Sequence, residues 1–164
     1  MAALNVRLVN AIVARLAAIN GTGAYETDVD ARIYKARRTL DPADLPCVVV
    51  WEGEEEATSS AGGSANGSTQ SLKVSLTVRV EGLVAADATS TGDELAKIKS
   101  DIKRAVLSYS DPAITDGDGR IAQGGIEYLG ATPLPREDGA NVEGVQCTFR
   151  VNLLEGYGNP NAPI

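Results

Sequence analysis

"RIYKARRTLDPADLPCVVVWEGEEE", residues 32–56, is the stretch from which the fold is best read. It begins with the cations Arg32, Lys35, Arg37 and Arg38, and it ends with the anions Glu52, Glu54, Glu55 and Glu56. Between them Val48, Val49, Val50 and Trp51 are apolar without interruption. Successive residues of a strand face opposite sides, so this run is apolar on both faces. Such a strand is expected to be central and covered on both sides. It is read as strand two, about residues 47–52. Strand one spans roughly residues 30–39, and neither of its faces is cleanly apolar. Tyr34 and Ala36 share one face with Arg32 and Arg38, while Ile33 shares the other with Lys35 and Arg37. Asp41-Pro42 and Leu45-Pro46 supply the turn between the two strands.

Working outward, Leu4, Leu8, Ile12, Leu16 and Ile19 recur every three to four residues, with Val9 and Val13 widening the stripe. This predicts an amphipathic helix, with Arg7, Asn10, Ala14 and Ala18 on its other side. Asn20-Gly21 and Gly23 end it. Downstream, "GEEEATSSAGGSANGSTQ", residues 53–70, is acidic and then rich in small residues, and it reads as a flexible loop. "SLKVSLTVRVEG" alternates cleanly, with Leu72, Val74, Leu76, Val78 and Val80 on one face and Lys73 and Arg79 on the other. A second helix follows, with Thr91 and Glu94 in a capping-box spacing and a stripe of Leu95, Ile98, Ile102 and Val106. "DGDG" marks a polar turn. Residues of about 121–131 and 143–155 form a closing strand pair, with a connector whose turn residues suit a long hairpin. Residues 156–164 have no periodicity and are expected to be an extended tail.

The order α-β-β-β-α-β-β predicts a single α+β domain over residues 1–164. Its sheet has about five mixed or antiparallel strands, and both helices pack on one face, which buries both apolar stripes. The length suits one domain with a self-sufficient core. The net charge of −7 and pI near 4.6 argue against a nucleic-acid grip, which requires a dominant basic surface. No apolar run approaches a transmembrane length. Arg7 and Arg15 interrupt any signal-peptide core, which points to a protein made and kept in a cytoplasm. Cys47 and Cys147 read as buried thiols of a reducing compartment, with a disulfide left open.

The chain contains no histidine, which removes the commonest general base and metal ligand. It carries no phosphate-loop or dinucleotide fingerprint. "DGDGRI", residues 116–121, lacks the ligand spacing of a calcium loop. Paired carboxylates such as Glu137 and Asp138 occur in any acidic chain and assign nothing. No catalytic residue, cofactor or metal is therefore expected. The informative features are surfaces of opposite charge on one subunit, which suit a head-to-tail contact that closes into a ring. A solvated strand edge and an acidic loop root explain the same charges without any partner.

Several segments in order resemble the tail terminator proteins of long-tailed bacteriophages, including the lambda-like and Mu-like groups. These are "LNVRLVNAIVARLAAI", "YKARRTLDPADLPCVVVWEGEEE", the Gly/Ser loop, "LKVSLTVRVEG", "DELAKIKSDIKRAVL" and "GVQCTFRVNLLEGYGNP". The similarity covers nearly the whole chain, and its motifs are architectural. It implies a virion structural protein at the head-proximal end of the tail, assembled in the host cytoplasm. The expected form is a homohexameric ring that caps the tail tube and ends its polymerisation. One side would meet the tail tube protein and the other a head-side connector protein. DNA would pass through the ring without specific binding, and no membrane is involved. The expected assembly residues are Arg32, Lys35, Arg37, Arg38, Glu52, Glu54, Glu55, Glu56, Lys73 and Arg79. The alternatives are another head–tail joining or tail completion protein, and a small cytoplasmic enzyme.

Overall fold

A computed structural model describes residues 3–61, 71–86, 91–107, 114–117, 119–122, 124–134, 141–156 and 159–163. Helix α1 (Leu4–Leu16) leads into β1 (Ile33–Lys35), a 3-10 turn (Pro42–Asp44) and the long strands β2 (Cys47–Ala61) and β3 (Ser71–Ala85). Helix α2 (Thr91–Val106) follows, then the two-residue strands β4 (Thr115–Asp116) and β5 (Gly119–Arg120). Strands β6 (Ile126–Pro133), β7 (Val142–Gly156) and β8 (Asn159–Pro163) close the chain. The main sheet runs β1-β2-β3-β7-β6, with β8 on the end of β7. Only the β1–β2 contact is parallel; the other neighbours in the sheet are antiparallel. The α+β class, the element order of the main sheet and the placement of both helices on one face follow the expectation from sequence.

The core lies between the helices and one sheet face. Leu4, Leu8, Ile12 and Leu16 of α1 and Ile98, Ile102, Ala105 and Val106 of α2 share one cluster. Their partners in it are Val48 and Val50 of β2, Val74 through Val84 at alternate positions of β3, and Val145, Cys147, Phe149, Val151 and Leu153 of β7. A fully buried side chain of this size contributes about 1.5–3 kcal/mol over an exposed one, so the cluster dominates stability. Helix α2 sits directly on β3. A Cβ added at Gly82 would stand 2.8 Å from Ile102 Cδ1 and 3.0 Å from Ile98 Cγ1, so glycine allows the close approach. Asp93 and Glu94 in its first turn and Lys103 and Arg104 in its last complement the helix dipole. Thr91, read as a cap, is instead the buried first residue of the helix, and Glu94 pairs with Lys97 at 2.9 Å.

Four sequence expectations need correction. Strand β2 is second from the sheet edge, since β1 lies outside it. It also runs on to Ala61, so residues 53–61 of the expected loop are strand, paired with β3 across a register shift between Glu52 and Glu55. Composition disfavoured that strand, but cross-strand pairing supplied what propensity lacked; residues 62–70 lie outside the described residues. Strand β1 is only three residues long, because Ala36 takes a left-handed backbone (φ 50°) that ends it. Arg7, expected on the solvent side of α1, is 4% exposed and bonds through Nε to Asp116 Oδ2 at 2.6 Å. The β4–β5 hairpin, read only as a polar turn, folds back on α1 and brings that partner. The segment 159–163 is a strand that pairs with β7.

Candidate functional site

The parallel pairing of β1 with β2 forces the chain between them, residues 36–46, to cross from one end of the sheet to the other. The crossover passes over the face that carries no helix. Cys47 and Val49 point there: both are fully buried, yet neither belongs to the core cluster that holds Val48 and Val50. The double apolarity of the run is therefore explained by helices on one side and a crossover on the other. Burial pushes the Cys47 thiol up to about 11, with Asp44 adding to the rise, and the Cys147 thiol in the helix-side core likewise to about 11. Both cysteines are free thiols.

The crossover is held by its own polar network. The Asp41 carboxylate accepts from the Ala43 N–H (2.9 Å), and the Asp44 carboxylate accepts from the Asp41 N–H (3.0 Å). Tyr34 donates its hydroxyl to Asp44 at 2.8 Å. Arg37 pairs with Asp44 at 2.9 Å, donates to the Thr39 carbonyl at 3.0 Å and lies 4.3 Å from the centre of the Tyr34 ring. The Asp41 N–H and the Tyr34 hydroxyl hold the Asp44 carboxyl below its ordinary range, with Arg37 assisting. Asp44 in turn holds the Tyr34 hydroxyl above its own. Arg37 therefore works first as a clamp on the crossover.

Beyond the crossover, the helix-free face opens into a shallow basin of about 390 Å³, lined by Arg37, Arg38, Leu40, Trp51, Arg79, Glu81 and Leu83. Sheet register builds it: Trp51 stands opposite Arg79, Val49 opposite Glu81 and Cys47 opposite Leu83. The Arg38 guanidinium lies 5.9 Å from the centre of the Trp51 ring, within cation–π range. The Trp51 Nε1–H is buried and, among the described residues, has no hydrogen-bond partner. Arg38 and Arg79 are exposed, and among the described residues no salt bridge ties either of them. Arg37 is already paired with Asp44, so Arg38 and Arg79 against Glu81 leave the basin with a small excess of positive charge.

The expected acidic segment lies farther along the same strand. Glu54, Glu55 and Glu56 are exposed, beyond the last β1 pairing at Val50, so the outer edge of β2 is unpaired there among the described strands. Charged side chains on such an edge block indiscriminate strand pairing. Glu52 is separate from them: it accepts from Asn5 Nδ2 at 2.8 Å, beside α1.

The structure thus divides the expected assembly residues. It gathers Arg37, Arg38 and Arg79 in the basin and Glu54, Glu55 and Glu56 on the edge. Arg32 instead donates to the carbonyls of Asp28 (2.6 Å) and Val29 (3.2 Å). Lys35 reaches Asn10 of α1 at 2.7 Å, on the helix side of the sheet. Lys73 lines a separate hollow of about 380 Å³ with Thr58, Asn152, Leu153 and Leu154. Sequence reasoning missed Trp51, Glu81 and Leu83 as partners of the cations, because cross-strand register was not legible. Among the described residues, no group of three or more His, Cys, Asp or Glu side chains is placed to hold a metal. No helix there is long and apolar enough to cross a membrane.

No protein-family model matches the chain, and no curated protein matches it. Among solved structures, a chain described as "Virion of native gene transfer agent (GTA) particle" is similar to it with a TM-score of 0.44 and 16% identity. The match covers 92% of this chain and 93% of that chain.

Proposed function

We propose that this chain is a structural subunit of a phage-type virion: a tail terminator that assembles as a six-membered ring on the last ring of the tail tube. The observation that carries the reading is one sheet presenting a basic basin on its helix-free face and, on the same strand, an acidic edge unpaired among the described strands. Different, complementary surfaces on one subunit favour head-to-tail association, which closes into a ring when the rotation allows. A tube ring offers the same upper face after every addition, so growth has no intrinsic stop. A terminator matches that face on one side and presents a different surface on the other. A subunit with two unlike sheet faces meets that requirement, and the order of the elements resembles the terminator pattern quoted above. The ring's other side would receive a head-side connector. An acidic molecule with a net charge of −7 would let DNA pass without adhering. No catalytic step is assigned.

The test is assembly in the protein's absence. Phage lacking it are expected to make overlong or heterogeneous tails that do not join heads, and purified protein added to growing tubes should cap them. Tails of normal length that fail only at head attachment would make the protein a joining or completion protein, and the terminator reading would fall.

A further inference from the structure

We infer that the Trp51 basin is the receiving site for the acidic β2 edge, Glu54–Glu56, of a second copy of this chain. The inference deepens the ring reading and rests on it for the number of subunits, but it stands on its own geometry. Arg38 lies over the Trp51 ring and Arg79 stands opposite it in the sheet, and neither has a carboxylate partner among the described residues. An arriving carboxylate would pair with these two exposed guanidiniums. The chain's single tryptophan gives the site its own emission signal. The complementary group is on the same molecule yet cannot reach it. Trp51 and Glu54–Glu56 belong to one strand, which pairs with β3 on both sides of a register shift between Glu52 and Glu55. At about 3.3 Å per residue they stay roughly 10–17 Å apart. The contact must therefore be made between copies.

Such a contact joins two different surfaces, so it propagates rather than stopping at a dimer. Desolvated carboxylate–guanidinium contacts set partner and register more than bulk affinity. The Glu81 carboxylate within the basin disfavours an occupant that ignores its position, and it leaves the two exposed arginines as the receptors.

The test uses charge reversal on the full chain, followed by sedimentation velocity at low ionic strength and by Trp51 emission. Arg38→Glu with Arg79→Glu should weaken self-association by about tenfold or more, and so should Glu54→Lys with Glu55→Lys and Glu56→Lys. All five substitutions in one chain should restore association. An equimolar mixture of the two reversed variants should also associate, with the variants alternating. Unchanged circular dichroism and melting would confirm that each variant folds. A peptide of residues 52–58, EGEEEAT, should shift Trp51 emission in the wild type and not in Arg79→Glu. Normal association by either reversed variant, or no recovery in the five-fold variant, would overturn the docking while leaving a ring built through other contacts. An equal Trp51 shift from inorganic phosphate would overturn it as well, by making the basin a plain anion site. A peptide-dependent shift in a protein that never forms rings would uphold the docking and sink the ring.

Discussion

Val48 and Val50 lie under two helices, in a cluster that draws on α1, α2, β2, β3 and β7. Cys47 and Val49, interleaved with them on the same strand, lie under the crossover of residues 36–46 and outside that cluster. The two faces of β2 are equally dry at this end and unlike in origin. On the helix side, burial continues along the sheet through Phe149 and Leu153. On the other side of β2 it stops after two residues, and Trp51, Arg79 and Glu81 line an open basin instead. The contrast separates residues that make the fold from residues left on an open surface, and it can be attacked from either side.

The largest effect is expected on the helix side. Phe149 is fully buried and meets Tyr128 with ring centroids 5.5 Å apart. Phe149→Ala should cost about 3–5 kcal/mol in denaturant unfolding, through lost burial and the cavity left behind. A loss below about 1 kcal/mol would mean that the helix side is not where stability resides. Next comes Asp116→Ala. It removes the carboxylate that meets the buried Arg7 guanidinium, and breaking a buried pair costs about 3–5 kcal/mol. Asp116 is itself partly exposed (27%), so a value nearer 2–3 kcal/mol is expected from the same titration.

The thiols probe both faces at once. Each is raised to about 11 by burial, so below the ordinary thiol range both folded and unfolded chains hold their protons. Above it, the unfolded chain releases protons that the folded chain retains. Stability should therefore be fully present below about pH 8.5 and fall between roughly pH 9 and 11, by about 1.4 kcal/mol per thiol per pH unit. Native protein at pH 8 should leave both thiols unlabelled by a thiol reagent until it unfolds. Rapid labelling of Cys47 alone would show that the crossover is a poorer cover than the helices.

Much of this contrast was legible in residues 32–56. An apolar run without alternation announces a strand covered twice, and the helix stripes name one cover. The second cover was not legible, because a crossover of turn residues has no periodicity, and its Tyr34–Asp44–Arg37 clamp forms across a fold in the chain. The cations were visible as a run, but backbone geometry scattered them: Ala36 ends β1, sending Lys35 toward α1 and Arg37 and Arg38 to the opposite face. Arg79 joined them through β2–β3 register, which composition does not encode. Residues 53–61 misled for a related reason, since strand pairing imposed by β3 outweighed a loop-like composition. Arg7 gave no sign of burial, because its partner Asp116 arrives on a hairpin more than a hundred residues away.

The smallest effect on stability belongs to the open face. Arg79→Ala removes an exposed cation and should change unfolding free energy by no more than about 0.5 kcal/mol. A loss of several kcal/mol would make the basin part of the fold rather than a surface held ready.

The central claim is that one subunit carries two complementary surfaces and closes into a ring with its copies. Native mass spectrometry of the wild-type chain over rising concentration at low ionic strength tests it most directly. The account predicts monomer at high dilution giving way to a single closed species of six subunits. A terminal dimer, an open ladder of sizes, or a monomer at every concentration, even beside tail tubes, would contradict it.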